Sequence, residues 1–119
     1  MLDIFAKEFG WDENYTEWLR GQQDYIHTKK IKGKVVSEIS ISKRGLVITA
    51  YTLPEYRGKG YFTELLEKVE KKYNYLDFWT FNDSLKIFLN KRKGWEYKED
   101  LNNYKRFIWQ TQDGNLQAQ

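Results

Sequence analysis

Cysteine is absent, and histidine, proline and methionine occur once each in 119 residues. Without thiols there are no disulfides, no thiolate metal centres and no Cys nucleophile, and one imidazole is too few for a His-rich metal site. No apolar run approaches the roughly 20 residues that cross a bilayer. Residues 1–11 carry Asp3, Lys7 and Glu8 where a secretory leader would have a basic start and an apolar stretch, so a soluble, cytoplasmic protein is the expectation. A strong charge of one sign is lacking too. The 20 Lys+Arg against 17 Asp+Glu leave +3, short of the basic excess of a dedicated nucleic-acid binder, which makes nucleic acid a poor fit as partner.

What the chain has is aromatic mass: five Trp, nine Tyr and seven Phe within 40% hydrophobic residues, enough to bury a core. The length suits one domain. We place it at residues 1–110, followed by a polar, frayed tail at 111–119.

Asp12 can cap a helix whose stripe is Tyr15, Trp18, Leu19 and Ile26, followed by a charged connector from Thr28 to Lys34. Val35 to Ser42 alternates as a strand, and Leu46 to Leu53 is apolar on both faces and should lie inside a sheet, the two joined as a hairpin. Pro54 ends the ladder. Phe62, Leu65, Leu66, Val69 and Tyr73 then recur at helical spacing over residues 61–73, with Glu64, Glu67, Lys68, Lys71 and Lys72 facing away. Tyr75 to Phe81 reads as a strand. Asp83 or Ser84 can cap a further helix through Lys93, with Leu85, Phe88 and Leu89 inward, Lys91, Arg92 and Lys93 against the dipole, and Gly94 at its left-handed end. Trp95–Lys98 and Tyr104–Gln110 complete the pattern around an Asn102-Asn103 turn. The fold class is α/β, a mixed, mainly antiparallel central sheet flanked by helices.

The segment with chemical content is the strand, Pro-Glu-Tyr-Arg-Gly-Lys-Gly, helix unit at residues 46–73. A glycine-bearing loop running straight into a helix N-terminus aims free N–H groups and the positive dipole end at one spot, which suits phosphates. Arg57 and Lys59 add charge. A solvated turn is the competing reading of this loop alone. It matches neither G-x-x-x-x-G-K-[ST] nor G-x-G-x-x-G.

Leu53 to Gly60 and the helix after them resemble the GCN5-related N-acetyltransferase superfamily. Its motif A, Q/R-x-x-G-x-G/A, is met at Arg57 and Gly60, whereas Phe62 stands where Gly or Ala is usual. Asn82, a helix, and Gly94-Trp95 resemble its motif B. The resemblance covers residues 34–110 and implies acetyl-CoA as donor to a primary amine by direct attack. It further implies pyrophosphate on the amides of Arg57, Gly58, Lys59, Gly60, Tyr61 and Phe62, pantetheine along Tyr51, Thr52 and Leu53, and Asn82 bonded to the pantetheine arm. An extended amide chain can pair with a strand edge left open by a splay between strands 46–53 and 75–81.

The family's usual proton donor, a Tyr four residues before the Gly of motif B, is Asn90 here, and Asn delivers no proton at neutral pH. Tyr51, Tyr97 or water would substitute, or the chain is a non-catalytic, virus-type member that binds a protein or nucleic acid; the catalytic residues therefore stay unassigned. Glu38 is a candidate water relay but reads first as a solvent-facing strand carboxylate, His27 as a surface side chain ending the first helix, and Lys29, Lys30, Lys32 and Lys34 as an exposed connector. Trp18, Trp79 and Trp95 sit where packing explains them. The resemblance leaves a homodimer open, and no metal is implied. Only about 33 residues precede the first firm strand, so the acceptor pocket is not legible.

Overall fold

A computed structural model describes residues 1–111. Helices α1 (Leu2–Phe9) and α2 (Glu13–Gln22) come first, then strands β1 (Tyr25–Ile31), β2 (Lys34–Ile41) and β3 (Val47–Thr52). A single 3-10 turn at Pro54–Tyr56 leads to α3 (Tyr61–Lys72), β4 (Tyr75–Thr80), α4 (Asp83–Lys91), β5 (Trp95–Leu101) and β6 (Tyr104–Gln110). The α/β expectation holds.

The strands form two three-stranded antiparallel sheets, ordered β1-β2-β3 and β4-β6-β5. They touch at one parallel bridge, Leu46 to Asp77, where the Asp77 amide donates to the Gly45 carbonyl at 2.8 Å. Gly45 is required there. Its φ is 88° and a Cβ would come within 2.9 Å of the Tyr75 carbonyl oxygen. Beyond this bridge β3 and β4 part.

Two hairpins are closed by two-residue turns. Lys32 and Gly33, at φ 51° and 82°, join β1 to β2, and Asn102, at φ 54°, opens the turn with Asn103 that joins β5 to β6. The α3 stripe does what its period dictates. Leu65, Leu66 and Val69 are buried against Ile39, Ile41, Leu76 and Phe107, and α4 adds Leu89 to the same core. On the opposite sheet face α1 sets Phe5 on Val36, Tyr51 and Leu53. Gly94, at φ 95°, packs so closely that a Cβ would fall onto the Trp109 ring.

Several expectations are corrected. Asp12 does cap α2, accepting from the Tyr15 amide at 2.8 Å, but the helix stops at Gln22 and Ile26 lies on β1. The Thr28–Lys34 connector is mostly strand: β1 pairs with β2 over its whole length, so the lysines ride on a hairpin, where Lys29 meets Glu64 at 3.2 Å. His27 is therefore a strand residue, its Nε2 2.6 Å from the Tyr73 hydroxyl. Burial, then Lys72 and Lys68, hold its pKa below the usual imidazole value. Asn82, not Asp83 or Ser84, caps α4, accepting from the Leu85 amide. The α4 helix stops at Lys91 rather than Lys93, and the residue at its C-cap is Arg92. It is held by Glu70 in two 2.7 Å hydrogen bonds, and the Trp95 indole donates to the same carboxylate. Trp18 is 59% exposed, so packing does not explain it. Of the frayed tail, Thr111 is tied to the Asn74 carbonyl by its amide, and residues 112–119 lie outside the described residues.

Candidate active site

The parting of β3 from β4 opens a cleft of about 860 Å³, with α1 and α2 on one side and the loop entering α3 on the other. The backbone of β3 divides between the two sides. The Leu53 amide donates to Val36, and Tyr51 pairs opposite Glu38, so these two spend their main-chain groups on β2. By the same alternation Ala50 and Thr52 face the open edge, and the Thr52 carbonyl there accepts from Arg57 Nε at 2.8 Å. The edge available to an extended ligand thus belongs to Ala50 and Thr52 rather than to Tyr51 and Leu53.

The loop into α3 has the geometry of an anion cradle. Gly58 and Gly60 sit at φ 76° and 84°, and a Cβ on either would meet nothing within 4 Å, so the space before their main chain is open. Gly60 is the N-cap of α3 and brings no capping side chain. Among the described residues, no carbonyl or side chain takes up the amides from Gly58 to Thr63, and the first amide bonded into the helix is that of Glu64, to the Gly60 carbonyl. Arg57 does not share in this. Its own amide donates to Pro54, so the cradle begins at Gly58.

Arg57 has a different occupation. Its Nη2 contacts both Glu8 carboxylate oxygens at 3.2 Å, its guanidinium lies 5.2 Å from the Tyr51 ring centre, and the Tyr51 hydroxyl donates to Glu8 at 2.6 Å. The Tyr51 hydrogen bond, aided by Arg57, holds the Glu8 carboxyl below its usual range; burial and Glu8 push the Tyr51 phenol up to about 12. One carboxylate from α1 therefore fixes both the end of β3, at Tyr51, and the residue just before the cradle, Arg57. Lys59 stands over the Tyr56 ring, 5.7 Å from its centre.

Of the residues that the resemblance gives to the cofactor, all but Leu53 and Lys59 line the cleft. Phe62 does not plug the cradle: its ring makes an edge contact with Phe88 and packs on the main core. Asn82 lines the cleft with its Oδ1 accepting once in the α4 cap and its Nδ2 donor free of the cap. Asn90 is exposed and Tyr97 is 42% exposed, and neither reaches the cleft. Tyr51 lines it with its hydroxyl committed to Glu8. Glu38 corrects the solvent-facing expectation: it is 6% exposed, and Gln23 Nε2 and Thr49 Oγ1 donate to its Oε2.

The phenols that do face the cleft include Tyr15 and Tyr104, near enough that Tyr104, after burial, helps raise the Tyr15 pKa. Sequence reading missed them, together with Phe9, Trp11 and Phe81, because no period marks residues that converge from two helices, a loop and two strand ends. The signal for Phe9, Trp11 and Tyr15 was the aromatic density of residues 5–18; Phe81 and Tyr104 had none.

A split α/β sheet with a glycine-opened helix N-terminus at the splay is the architecture of acyl-CoA N-acyltransferases. The sequence profile described as Acetyltransferase (GNAT) family matches residues 2–83, and the chain belongs to that family. Among solved structures, PH1933 from Pyrococcus horikoshii OT3 superposes with a TM-score of 0.68 at 18% identity, over 92% of this chain and 87% of that one. The ribosomal-protein-S18-alanine N-acetyltransferase from Escherichia coli gives 0.66 at 13% identity, over 83% and 76%. The PaiA N-acetyltransferase from Thermoplasma acidophilum, solved in complex with coenzyme A, gives 0.62 at 14%, over 89% and 74%. At these identities the likeness speaks for the fold. A search of curated proteins returns no match. No helix among the described residues is long and apolar enough to cross a membrane.

Proposed function

We propose that this protein is an N-acetyltransferase that takes its acyl group from acetyl-CoA and gives it to a primary amine, acting in the cytoplasm. Family membership supports the reaction class. The observation that carries the reading is the run of unclaimed amides from Gly58 to Thr63, opening onto empty space beside the Gly58 and Gly60 main chains. A diphosphate fits such a place, since amides at a helix N-terminus hold anions without a counter-ion. Acetyl-CoA brings an activated thioester, from which the acyl carbon passes to the amine nitrogen as the C–S bond breaks and the amine's surplus proton ends on the thiol.

The chain's own residues divide the remaining work. Gly58 to Thr63 hold the diphosphate, with Phe62 kept out of the way by Phe88. Ala50 and Thr52 offer the open strand edge and Asn82 its Nδ2 donor to the amide-bearing arm. The aromatic walls give the reacting groups an apolar surround. Tyr15 and Tyr104 take the place of the missing tyrosine at Asn90: both phenols face the cleft, and a phenol is protonated at neutral pH and can hand its proton to a departing thiolate, the amine's proton restoring it.

The test is thiol release from acetyl-CoA over an amine panel, with mass spectrometry of the amine. An acetylated amine and free thiol in equal amounts are expected. Binding of acetyl-CoA without transfer to any amine would instead favour the non-catalytic reading that Asn90 keeps in view.

A further inference from the structure

The cleft wall opposite the cradle is unusual in charge. Among the described residues lining the cleft there is no Asp, Glu, Lys or His, and Arg57, already paired with Glu8, is the one ionic side chain. In place of charge there are rings in contact. Trp18 stacks on Tyr15 at 6.1 Å between centres, Tyr15 meets Trp11 edge-on at 5.1 Å, Trp11 lies 6.0 Å from Phe9, Phe9 meets Phe81 edge-on at 5.4 Å, and Phe81 meets Tyr104 at 5.5 Å. This arc runs from α2 to the start of β6 and is open at one end, where Trp18 and Tyr15 are 59% and 39% exposed. A separate recess behind Trp11, Phe81 and Tyr104 carries Asp83 and Lys86, which meet at 3.4 Å, Lys86 also donating to the Asn103 carbonyl at 2.8 Å; neither lines the cleft.

We propose that the acceptor is an amine borne on an apolar, ring-containing body, of the arylalkylamine kind, seated along the arc from Trp18 to Tyr104. This rests on the transferase reading and names its acceptor class. The argument is one of charge complementarity. A polyamine, or a lysine within a basic peptide, would bring further cations into a cleft whose lining holds no carboxylate, and each desolvated, unpaired charge is costly. An α-amino acid would bring a carboxylate into a cleft whose one lining cation, Arg57, is spoken for by Glu8. An aromatic body loses nothing there and gains edge and face contacts with the rings. The same wall serves the chemistry, because desolvation favours the neutral amine over the ammonium ion, and the neutral form is the nucleophile.

The experiment uses phenethylamine, spermidine and a lysine-containing basic peptide, each titrated with tryptophan fluorescence as readout, with and without acetyl-CoA, and each assayed by thiol release. Phenethylamine should give a saturable fluorescence change and be preferred over spermidine by about 100-fold in kcat/KM, the scale of discrimination expected of an apolar pocket. Tyr15→Asp, which puts a carboxylate on the rim, should shrink that preference by about tenfold, whereas Tyr15→Phe should keep it. Saturable phenethylamine fluorescence in a protein that gives no heat with acetyl-CoA would sink the donor reading and leave the arc's ligand standing. Preferred acetylation of spermidine or the peptide would overturn the acceptor class and leave the donor reading intact. Fluorescence that follows protein concentration and ignores amines would overturn it as well, by marking the arc as a contact between copies of the chain.

Discussion

The Tyr51 hydroxyl and the Glu8 carboxylate meet at 2.6 Å, joining the N-terminal helix to the strand that borders the cleft across 43 residues of sequence. The contact fixes the sign of a pH effect. Burial and Glu8 raise the folded-state Tyr51 pKa from 10.0 to about 12. Between those values the unfolded chain has released this proton and the folded chain has kept it. The phenol's contribution is therefore complete below pH 10 and lost as the pH rises toward 12. Urea unfolding between pH 9 and 12 should show a shallower alkaline loss in Tyr51→Phe than in the parent; parallel curves would contradict the contact.

Glu70 gives a prediction about folding alone. It is 9% exposed and accepts from Arg92 and from the Trp95 indole. Glu70→Ala leaves a guanidinium and an indole N–H without their partner and should cost about 3 kcal/mol in chemical unfolding. It lies outside the cleft, so affinity for acetyl-CoA in the surviving folded protein should stay within about twofold.

Proton delivery separates three positions. Tyr104→Phe and Tyr15→Phe should each lower kcat by about tenfold while leaving KM for acetyl-CoA near the parent value, the scale of a lost general acid whose role water partly fills. Asn90→Ala should change neither, because its side chain is exposed and away from the cleft. A large effect at Asn90 with none at the two tyrosines would return the role to the position the family uses.

How much of this was legible in the sequence depended on whether a period marked it. Leu65, Leu66 and Val69 announced α3 because one face of that helix is buried and the other is not. β1 stayed hidden: Tyr25–Ile31 has no fully buried residue, so no alternation distinguishes it, and Ile26 happened to extend the stripe of α2. The eight-residue α1 is too short for a stripe to stand out. The unusual backbone at Gly58 and Gly60 was readable, since it depends only on local conformation. The Arg57 to Glu8 pair was not, because a contact between residues 49 apart is set by how α1 docks on the sheet. The same docking made the aromatic arc.

Calorimetry of acetyl-CoA with the intact protein and with Gly60→Val tests the central claim most directly. Gly60 sits at φ 84° with open space before it, so valine strains the loop and fills the place where a diphosphate would lie. The account predicts saturable one-to-one binding that weakens by at least about tenfold in a variant whose circular dichroism shows it still folded. No heat with the parent protein, or equal affinity in the two, would contradict it.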